Sequence, residues 1–166
     1  MSISKLLSNL EGKWLAQQTL YNVILEKTYS QKSEVYYKLI RSTSPLLPNI
    51  NKQIPQYDNL DVLEVSWQNS DTQLEHIICF FSISLQKTRQ GKFIKWDQHQ
   101  TNKLTTGNFK WNKHGILNLT TSKTNLRINE KIYTPTNRLK LSSSIIKKYG
   151  ICISVSFISE IKFNQE

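Results

Sequence analysis

The pattern with the clearest chemical potential is a row of polar side chains near the carboxyl end of the sequence. Arg138, Lys140, Ser142 and Ser144 occupy every second position of a segment whose other residues are mostly apolar. Side chains two residues apart on a β-strand point to the same side, so the row would present cations and hydroxyls together on one face. The alternation by itself predicts that this face meets water, as in many antiparallel sheets.

Metal and thiol chemistry have little support in the sequence. Cys79 and Cys152 lie in apolar, strand-like segments, where cysteine usually serves as a small hydrophobic residue, and a disulfide between them stays an alternative. His76, His99 and His114 are scattered, without zinc-ligand spacing or helical register. We therefore predict no metal site, and we assign no catalytic residue.

The net charge of +10 favours acidic partners: nucleic acid, an anionic membrane face, an acidic protein or a ligand that carries carboxylates. The basic residues are spread along the chain, and neither an aromatic RNA-binding signature nor a helix-turn-helix pattern accompanies them. We expect no nucleic acid partner. A coding bias towards lysine, asparagine and isoleucine, typical of AT-rich organellar genomes, would also explain the charge.

The size and composition indicate one globular domain, which we place at residues 1–166. Hydrophobic residues make up 38% of the chain, enough for an interior, while charged residues at 20% are too few for a disordered tail. The apolar runs are too short to span a bilayer, and the amino terminus does not resemble a signal peptide. We expect a soluble protein that is neither secreted nor inserted into a membrane.

The periodicity predicts one short helix followed by many strands. Leucines at helical spacing place the helix at Ser4–Leu10, and Gly12 would end it. The segment 42–59 holds three of the four prolines, which predicts a loop that serves as a lid or a connector. Period-two patterns rich in β-branched and aromatic residues predict strands at 13–25, 32–40, 60–68, 73–87, 92–98, 102–111, 115–123, 125–134, 138–148 and 151–162.

About nine or ten short strands in hairpin order must hide their edges, and closure into a barrel does this most completely. We predict an all-β fold: an antiparallel up-and-down β-barrel with a short amino-terminal helix that plugs one end. A barrel of this size can hold one small ligand. A β-sandwich is the alternative that periodicity does not exclude.

Four segments carry a resemblance to a known family. "GKWLAQQTLYNV", "KSEVYY", "GILNLTTSKTNLRINEKIY" and "RLKLSSSIIKKYGICISVSFISEIKF" resemble, in order and spacing, the S-type phycobiliprotein lyases of the CpcS/CpeS family, plastid-encoded type. The resemblance implies a lipocalin-like or fatty-acid-binding-protein-like barrel. It implies a lyase that binds a linear tetrapyrrole, phycoerythrobilin or phycocyanobilin, and attaches it by a thioether bond to a cysteine of an apo-phycobiliprotein subunit. The bilin is then a substrate, and no cofactor is expected.

The same resemblance implies a set of bilin contacts. Such a site needs aromatic walls for the conjugated rings, cations for two propionates and a carboxylate near the pyrrole nitrogens. Glu130 would supply the carboxylate. Arg138 and Lys140 would supply the cations, one step along the strand from the positions of the family's alternate arginines. Trp67 and Tyr133 would be aromatic contacts, although a lone strand tryptophan is usually plain core. The complete set is Gln18, Asn22, Trp67, Glu130, Tyr133, Arg138, Lys140, Ser142, Ser144 and Glu160.

Several positions depart from the family pattern. Gln18, Lys140, Ser142 and Lys162 stand where arginines are usual. Lysine keeps the charge but lacks the planar fork of arginine, and glutamine keeps only hydrogen bonding, so the affinity for bilin or the choice among bilins is expected to differ. Glu160 retains the family's carboxylate, and we expect it to brace a basic side chain inside the barrel.

Two classes of function follow, a lyase or a non-catalytic barrel. The second would be a carrier or chaperone for a bilin, a haem product or a fatty acid, or a helper subunit of a lyase pair. An RNA-binding barrel is a third alternative. The lyase could act as a homodimer or with a related partner, in the plastid (chloroplast) stroma or in a cyanobacterial cytoplasm.

Overall fold

The computed structural model describes residues 3–40, 60–69, 73–81, 89–97 and 100–163. Within them lie one helix and ten strands. The helix α1 spans Ile3–Leu10. The strands are β1 (Gly12–Asn22), β2 (Lys27–Ile40), β3 (Leu60–Gln68), β4 (Gln73–Phe81), β5 (Gln90–Asp97), β6 (Gln100–Trp111), β7 (Ile116–Lys123), β8 (Leu126–Thr136), β9 (Leu139–Lys148) and β10 (Ile151–Lys162).

The ten strands form one closed antiparallel barrel in which each strand pairs with its neighbours in the sequence. Closure is made by β1, which pairs with β2 on one side, with Gly12 opposite Tyr37, and with β10 on the other, with Trp14 opposite Lys162. A closed barrel leaves no unpaired strand edge for another chain to extend. The predicted all-β up-and-down barrel is confirmed, and the β-sandwich alternative is wrong.

The alternation of each strand sorts its side chains between the inside and the outside of the barrel. On β1 and β2, Trp14, Val35 and Tyr37 are buried inside, while Leu15 and Tyr36 are exposed outside. The register carries the inner positions from strand to strand, so that Phe109 of β6 belongs to the same core as Trp14. The side chains at alternate positions of these strands therefore line the interior of the barrel.

The amino-terminal helix closes one end of this interior. Ile3, Leu6, Leu7 and Leu10 are all buried in the core, and each such side chain contributes about 1.5–3 kcal/mol by leaving water. The last turn of the helix is also tied to the barrel: Trp14 Nε1 donates to the Leu10 carbonyl oxygen at 2.7 Å. Lys162 Nζ donates to the carbonyl oxygen of Asn9 at 2.9 Å, which satisfies another terminal acceptor. The predicted plug is present and starts one residue earlier than expected.

The first hairpin differs from the sequence prediction. The predicted strand 13–25 ends at Asn22, because the Asn22 side-chain oxygen accepts a hydrogen bond from the Leu25 amide at 3.0 Å and forms a turn. Glu26 then takes a positive φ of 50°, and β2 begins at Lys27, five residues before the predicted position 32. The apolar residues that suggested a longer strand lie in this turn, where Ile24 is 72% exposed.

Two predicted features lie outside the described residues: the proline-rich loop at 42–59 and the end of the predicted strand 73–87 beyond residue 81. No helix among the described residues has both the length and the apolar character needed to cross a membrane.

Candidate ligand-binding site

A cavity of about 240 Å³ lies inside the barrel, directly beneath the helix. One part of its wall is apolar, with Leu6, Leu7 and Leu10 from the helix and aliphatic and aromatic side chains from β3, β4, β5 and β7. The other part is polar and comes mainly from β8, β9 and β10. The polar lining includes Gln18, Lys95, Glu130, Lys140, Ser142, Ser144, Ser156 and Glu160.

A buried triad of Lys140, Glu160 and Tyr37 forms the deep polar part of the cavity. Lys140 Nζ lies 2.6 Å from Glu160 Oε1 and donates to the Tyr37 hydroxyl oxygen at 2.6 Å. The Tyr37 hydroxyl in turn donates to Glu160 Oε2 at 2.7 Å. Glu160 is fully buried and Lys140 is 6% exposed, so each charge depends on the others for compensation. The triad is balanced in charge and closed in its hydrogen bonding.

Tyr37 is held neutral at this position. Burial raises its pKa well above the ordinary value, and the neighbouring carboxylate of Glu160 raises the pKa further. The ring also meets Trp14 edge to face, with centroids 6.3 Å apart, beside the helix end. Tyr37 thus acts as a hydrogen-bond donor that is fixed by packing.

The serines of β9 and β10 continue the polar wall beyond the triad. The hydroxyls of Ser144 and Ser156 lie 2.8 Å apart across the two strands. Ser142 Oγ is buried and has no hydrogen-bond partner among the described residues, although its side chain lines the cavity. A buried hydroxyl without a partner is costly, and a ligand oxygen or nitrogen in the cavity would satisfy it.

Most of the residues that we predicted for the site meet at this cavity. Gln18, Trp67, Glu130, Lys140, Ser142, Ser144 and Glu160 line it. Lys140, Ser142 and Ser144 lie on the inner face of β9, so the expectation from alternation alone, that this row meets water, is wrong for these three. Glu160 contacts the basic side chain of Lys140 inside the barrel. Their binding of a bilin stays a prediction.

Three predicted residues do not line the cavity. Arg138 is exposed in the turn between β8 and β9, because the strand begins only at Leu139, so the expected second cation of the row is absent from its inner face. Tyr133 is 41% exposed and lies on the outer side of β8, since inward-facing Ile132 precedes it. Asn22 uses its side-chain oxygen in the first hairpin turn.

Sequence reasoning missed Tyr37 and Lys95. Tyr37 lies at the same parity as Val35 in "KSEVYYKLI", so the alternation assigned it to a face but gave no sign of a polar partner. Lys95 stands between apolar residues in "KFIKWDQ", and it shares the inner face of β5 with Phe93. Only the closed barrel brings these residues, from distant parts of the chain, to the same cavity as Glu130 and Glu160.

A larger depression of about 580 Å³ lies on the surface formed by β1, β2 and β10, next to Leu15, Glu34 and Ile161. None of the ten predicted contact residues belongs to its lining. The inner cavity, with its buried charges and hydroxyls, is therefore the better candidate for a ligand site.

A closed antiparallel up-and-down barrel with a helix at one end and a cavity inside is the architecture of the lipocalin-like class of barrels. Within this class, the sequence profile of CpeS-like proteins matches residues 2–163. The chain belongs to the CpeS-like protein family, and the resemblance noted in the sequence is confirmed.

Named relatives agree with this assignment. The chain is 26% identical over 162 residues to a chromophore lyase CpcS/CpeS homolog of Gracilaria tenuistipitata var. liui, with 98% of each chain covered. It is 24% identical over 169 residues to the chromophore lyase CpcS/CpeS of Thermosynechococcus vestitus, covering 98% of this chain and 93% of the relative. These relatives come from red algae and cyanobacteria.

Among solved structures, the S-type phycobiliprotein lyase CpeS from Guillardia theta has the same fold. The TM-score is 0.77 at 15% sequence identity, and the match covers 100% of this chain and 95% of that chain.

Proposed function

We propose that this protein is a chromophore lyase that binds a linear tetrapyrrole in its barrel and attaches it to a cysteine of a phycobiliprotein subunit. The observation that carries the proposal is the inner cavity, in which Glu130 and a row of serines face an apolar wall that also holds Lys95. An open-chain tetrapyrrole has conjugated rings, ring nitrogens that can be protonated and two propionates. The cavity offers a chemically matching surface for each of these groups.

The bond is proposed to form on the client, and the chain serves to hold the bilin. The client's thiol adds across the ethylidene double bond of ring A: the sulfur–carbon bond forms, and the electron pair of the double bond takes up a proton. This addition needs no oxidant or reductant and no resident cofactor. The contribution of the protein is to fix one bilin conformation and so lower the entropic part of the barrier.

The dimensions of the cavity indicate that a bilin would keep part of its length outside the barrel and would not be enclosed completely. Pockets that bury a drug-sized ligand measure about 300–1,000 Å³. The inner cavity measures about 240 Å³ and is closed by the helix at one end, with Leu6 and Leu7 in its lining. We therefore propose that a bilin enters from the end opposite the helix and keeps part of its length outside the barrel. The exposed part would include ring A, which the client thiol has to reach.

The chain's own buried thiol is a poor acceptor. Cys79 is completely buried, and burial raises its pKa to about 12, so the reactive thiolate is scarce at neutral pH. Self-attachment at this residue would therefore be slow compared with transfer to an accessible client cysteine.

The proposal is tested by mixing the purified protein, a free bilin and an apo-phycobiliprotein subunit. The expected result is acid-stable covalent colour on the client, formed faster than in a mixture without the protein. A client whose acceptor cysteine is replaced by serine is the control and should stay colourless. Phycocyanobilin and phycoerythrobilin are tested separately, so that the preferred bilin is identified. If colour stays with this chain and never reaches the client, the lyase proposal fails and a carrier or helper role takes its place.

The cellular setting belongs to the same proposal. We propose that residues 1–166 act as one bilin-binding domain in the plastid stroma of an alga, which the red algal relatives support. A cyanobacterial cytoplasm is the alternative, and immunodetection in purified plastids distinguishes the two. Size-exclusion chromatography with light scattering would reveal a homodimer, or a complex with a related lyase.

A further inference from the structure

We infer that Lys95 is the anion-binding residue of the cavity and that it holds a carboxylate of the ligand. The identity of the ligand as a bilin rests on the proposed function. The assignment of the cation rests on the contacts within the barrel.

Two cations line the cavity among the described residues, Lys95 and Lys140. Lys140 is already engaged, with Glu160 Oε1 and the Tyr37 hydroxyl each 2.6 Å from its Nζ. A ligand carboxylate at Lys140 would have to lie beside the buried carboxylate of Glu160, and two like charges at close range repel each other. The closed triad therefore leaves Lys140 a poor binding group for an incoming anion.

Lys95 has the opposite environment. Its side chain is half-buried on the inner face of β5, in register with Ile78 of β4 and in the same cavity wall as Phe93. It forms no hydrogen bond or ion pair with any residue that the structure describes. A half-buried ammonium beside Ile78 and Phe93, without a described partner, is poorly compensated, and a carboxylate that enters the cavity would pair with it.

The remaining polar groups complete a recognition pattern. Glu130 supplies a negative charge elsewhere on the lining, and Ser142 Oγ supplies a buried hydroxyl without a partner. The wall thus fits a flexible apolar molecule that carries a carboxylate together with a protonated nitrogen. Of these contacts, the one to the carboxylate is assigned to Lys95.

The test compares a free bilin with its dimethyl ester, in which both propionate charges are absent. Lys95→Met is the test variant. Lys92→Met is the matched control, since Lys92 lies on the same strand and is exposed on the outer face. Circular dichroism verifies that both variants fold.

We expect Lys95→Met to weaken binding of the free acid by about tenfold to a hundredfold, the range for a hydrogen bond to a charged group. The ester should bind to Lys95→Met as it binds to the unsubstituted protein, and Lys92→Met should change neither affinity.

Equal losses for the acid and the ester would assign Lys95 a packing role and overturn the inference, as would an unchanged affinity for the acid. A second probe separates this failure from failure of the proposed function. 8-Anilinonaphthalene-1-sulfonate is an anionic apolar dye that requires no bilin chemistry. If the unsubstituted protein binds the dye but no bilin, and Lys95→Met but not Lys92→Met lowers the affinity for the dye, the anion site is supported and the bilin function is contradicted. If neither ligand binds, both proposals fall.

Discussion

Lys140 and Glu160 face each other across β9 and β10 inside the barrel, with Nζ 2.6 Å from Oε1, and Tyr37 of β2 closes the group from the other side. Lys140 and Glu160 are register partners on consecutive strands, and closure of the barrel through β1 brings Tyr37, more than one hundred residues away in sequence, to the pair. This triad accounts for both buried charges among the described residues, and it determines which cavity lysine is available to a ligand.

The first prediction concerns the stability of the triad. Lys140→Met should lower the free energy of unfolding by about 3–5 kcal/mol, because it leaves the fully buried Glu160 carboxylate without its counter-charge. Replacing the whole group by apolar residues, in Lys140→Met/Glu160→Leu/Tyr37→Phe, should recover most of this loss. Urea denaturation measures both variants. A triple variant as unstable as Lys140→Met would show that the cost comes from packing and not from the unpaired charge.

The second prediction concerns the tyrosine hydroxyl. Tyr37→Phe removes a donor to Glu160 Oε2 and should cost about 1–3 kcal/mol. Tyr36→Phe is the matched control: its hydroxyl contacts Glu34 on the exposed outer face, and its loss should cost less than about 0.5 kcal/mol. Chemical denaturation at neutral pH compares the two variants, and equal losses would contradict the buried role of Tyr37.

The same hydroxyl predicts a dependence on alkaline pH. The folded-state pKa of Tyr37 is raised above its usual value of 10.0, so the unfolded chain loses this proton at a lower pH than the native state does. The stabilisation is fully present below about pH 10 and is lost as the pH rises through the raised native pKa. The stability difference between the unsubstituted protein and Tyr37→Phe should therefore shrink above pH 10. A difference that stays constant up to pH 11 would contradict the assigned pKa direction.

The third prediction concerns Glu130, which lines the cavity on β8. If its carboxylate pairs with protonated pyrrole nitrogens, Glu130→Gln should weaken or blue-shift the long-wavelength absorption of the bound bilin. Glu34→Gln, on the outer face beside Lys13, is the control and should keep the original spectrum. Absorption spectra at saturating bilin decide the question, and an unchanged spectrum in Glu130→Gln removes this residue from the site.

The fourth prediction concerns the close approach of β6 to its neighbours. A Cβ atom at Gly107 would lie 2.5 Å from both the Phe93 ring and the backbone oxygen of Thr120. Because a backbone oxygen cannot move aside, Gly107→Ala should destabilise the barrel by about 1–3 kcal/mol through overpacking. Thr106→Ala, at the exposed neighbouring position, should change stability by less than about 0.5 kcal/mol. Thermal unfolding measures both, and a neutral Gly107→Ala would mean that β6 and β7 can separate locally.

The sequence by itself determined the type of element at almost every described position. Period-two alternation and helical leucine spacing are local properties, and they predicted about nine or ten strands, one helix and an all-β barrel. The alternation also placed Lys140, Ser142 and Ser144 on one face, because side-chain direction follows from strand geometry alone. Family resemblance then named Glu130 and Trp67, which the structure brings to the cavity wall.

Only the tertiary structure decided which face was inside, where the strands ended and which charges met. Arg138 falls outside the polar row because β9 begins at Leu139, and Asn22 is taken by a turn, two outcomes that depend on hairpin geometry. The pairing of Lys140 with Tyr37 and Glu160, and the lack of a described partner for Lys95, depend on barrel closure and on register across strands. No local pattern encodes these contacts, because they join side chains separated in one case by more than one hundred residues.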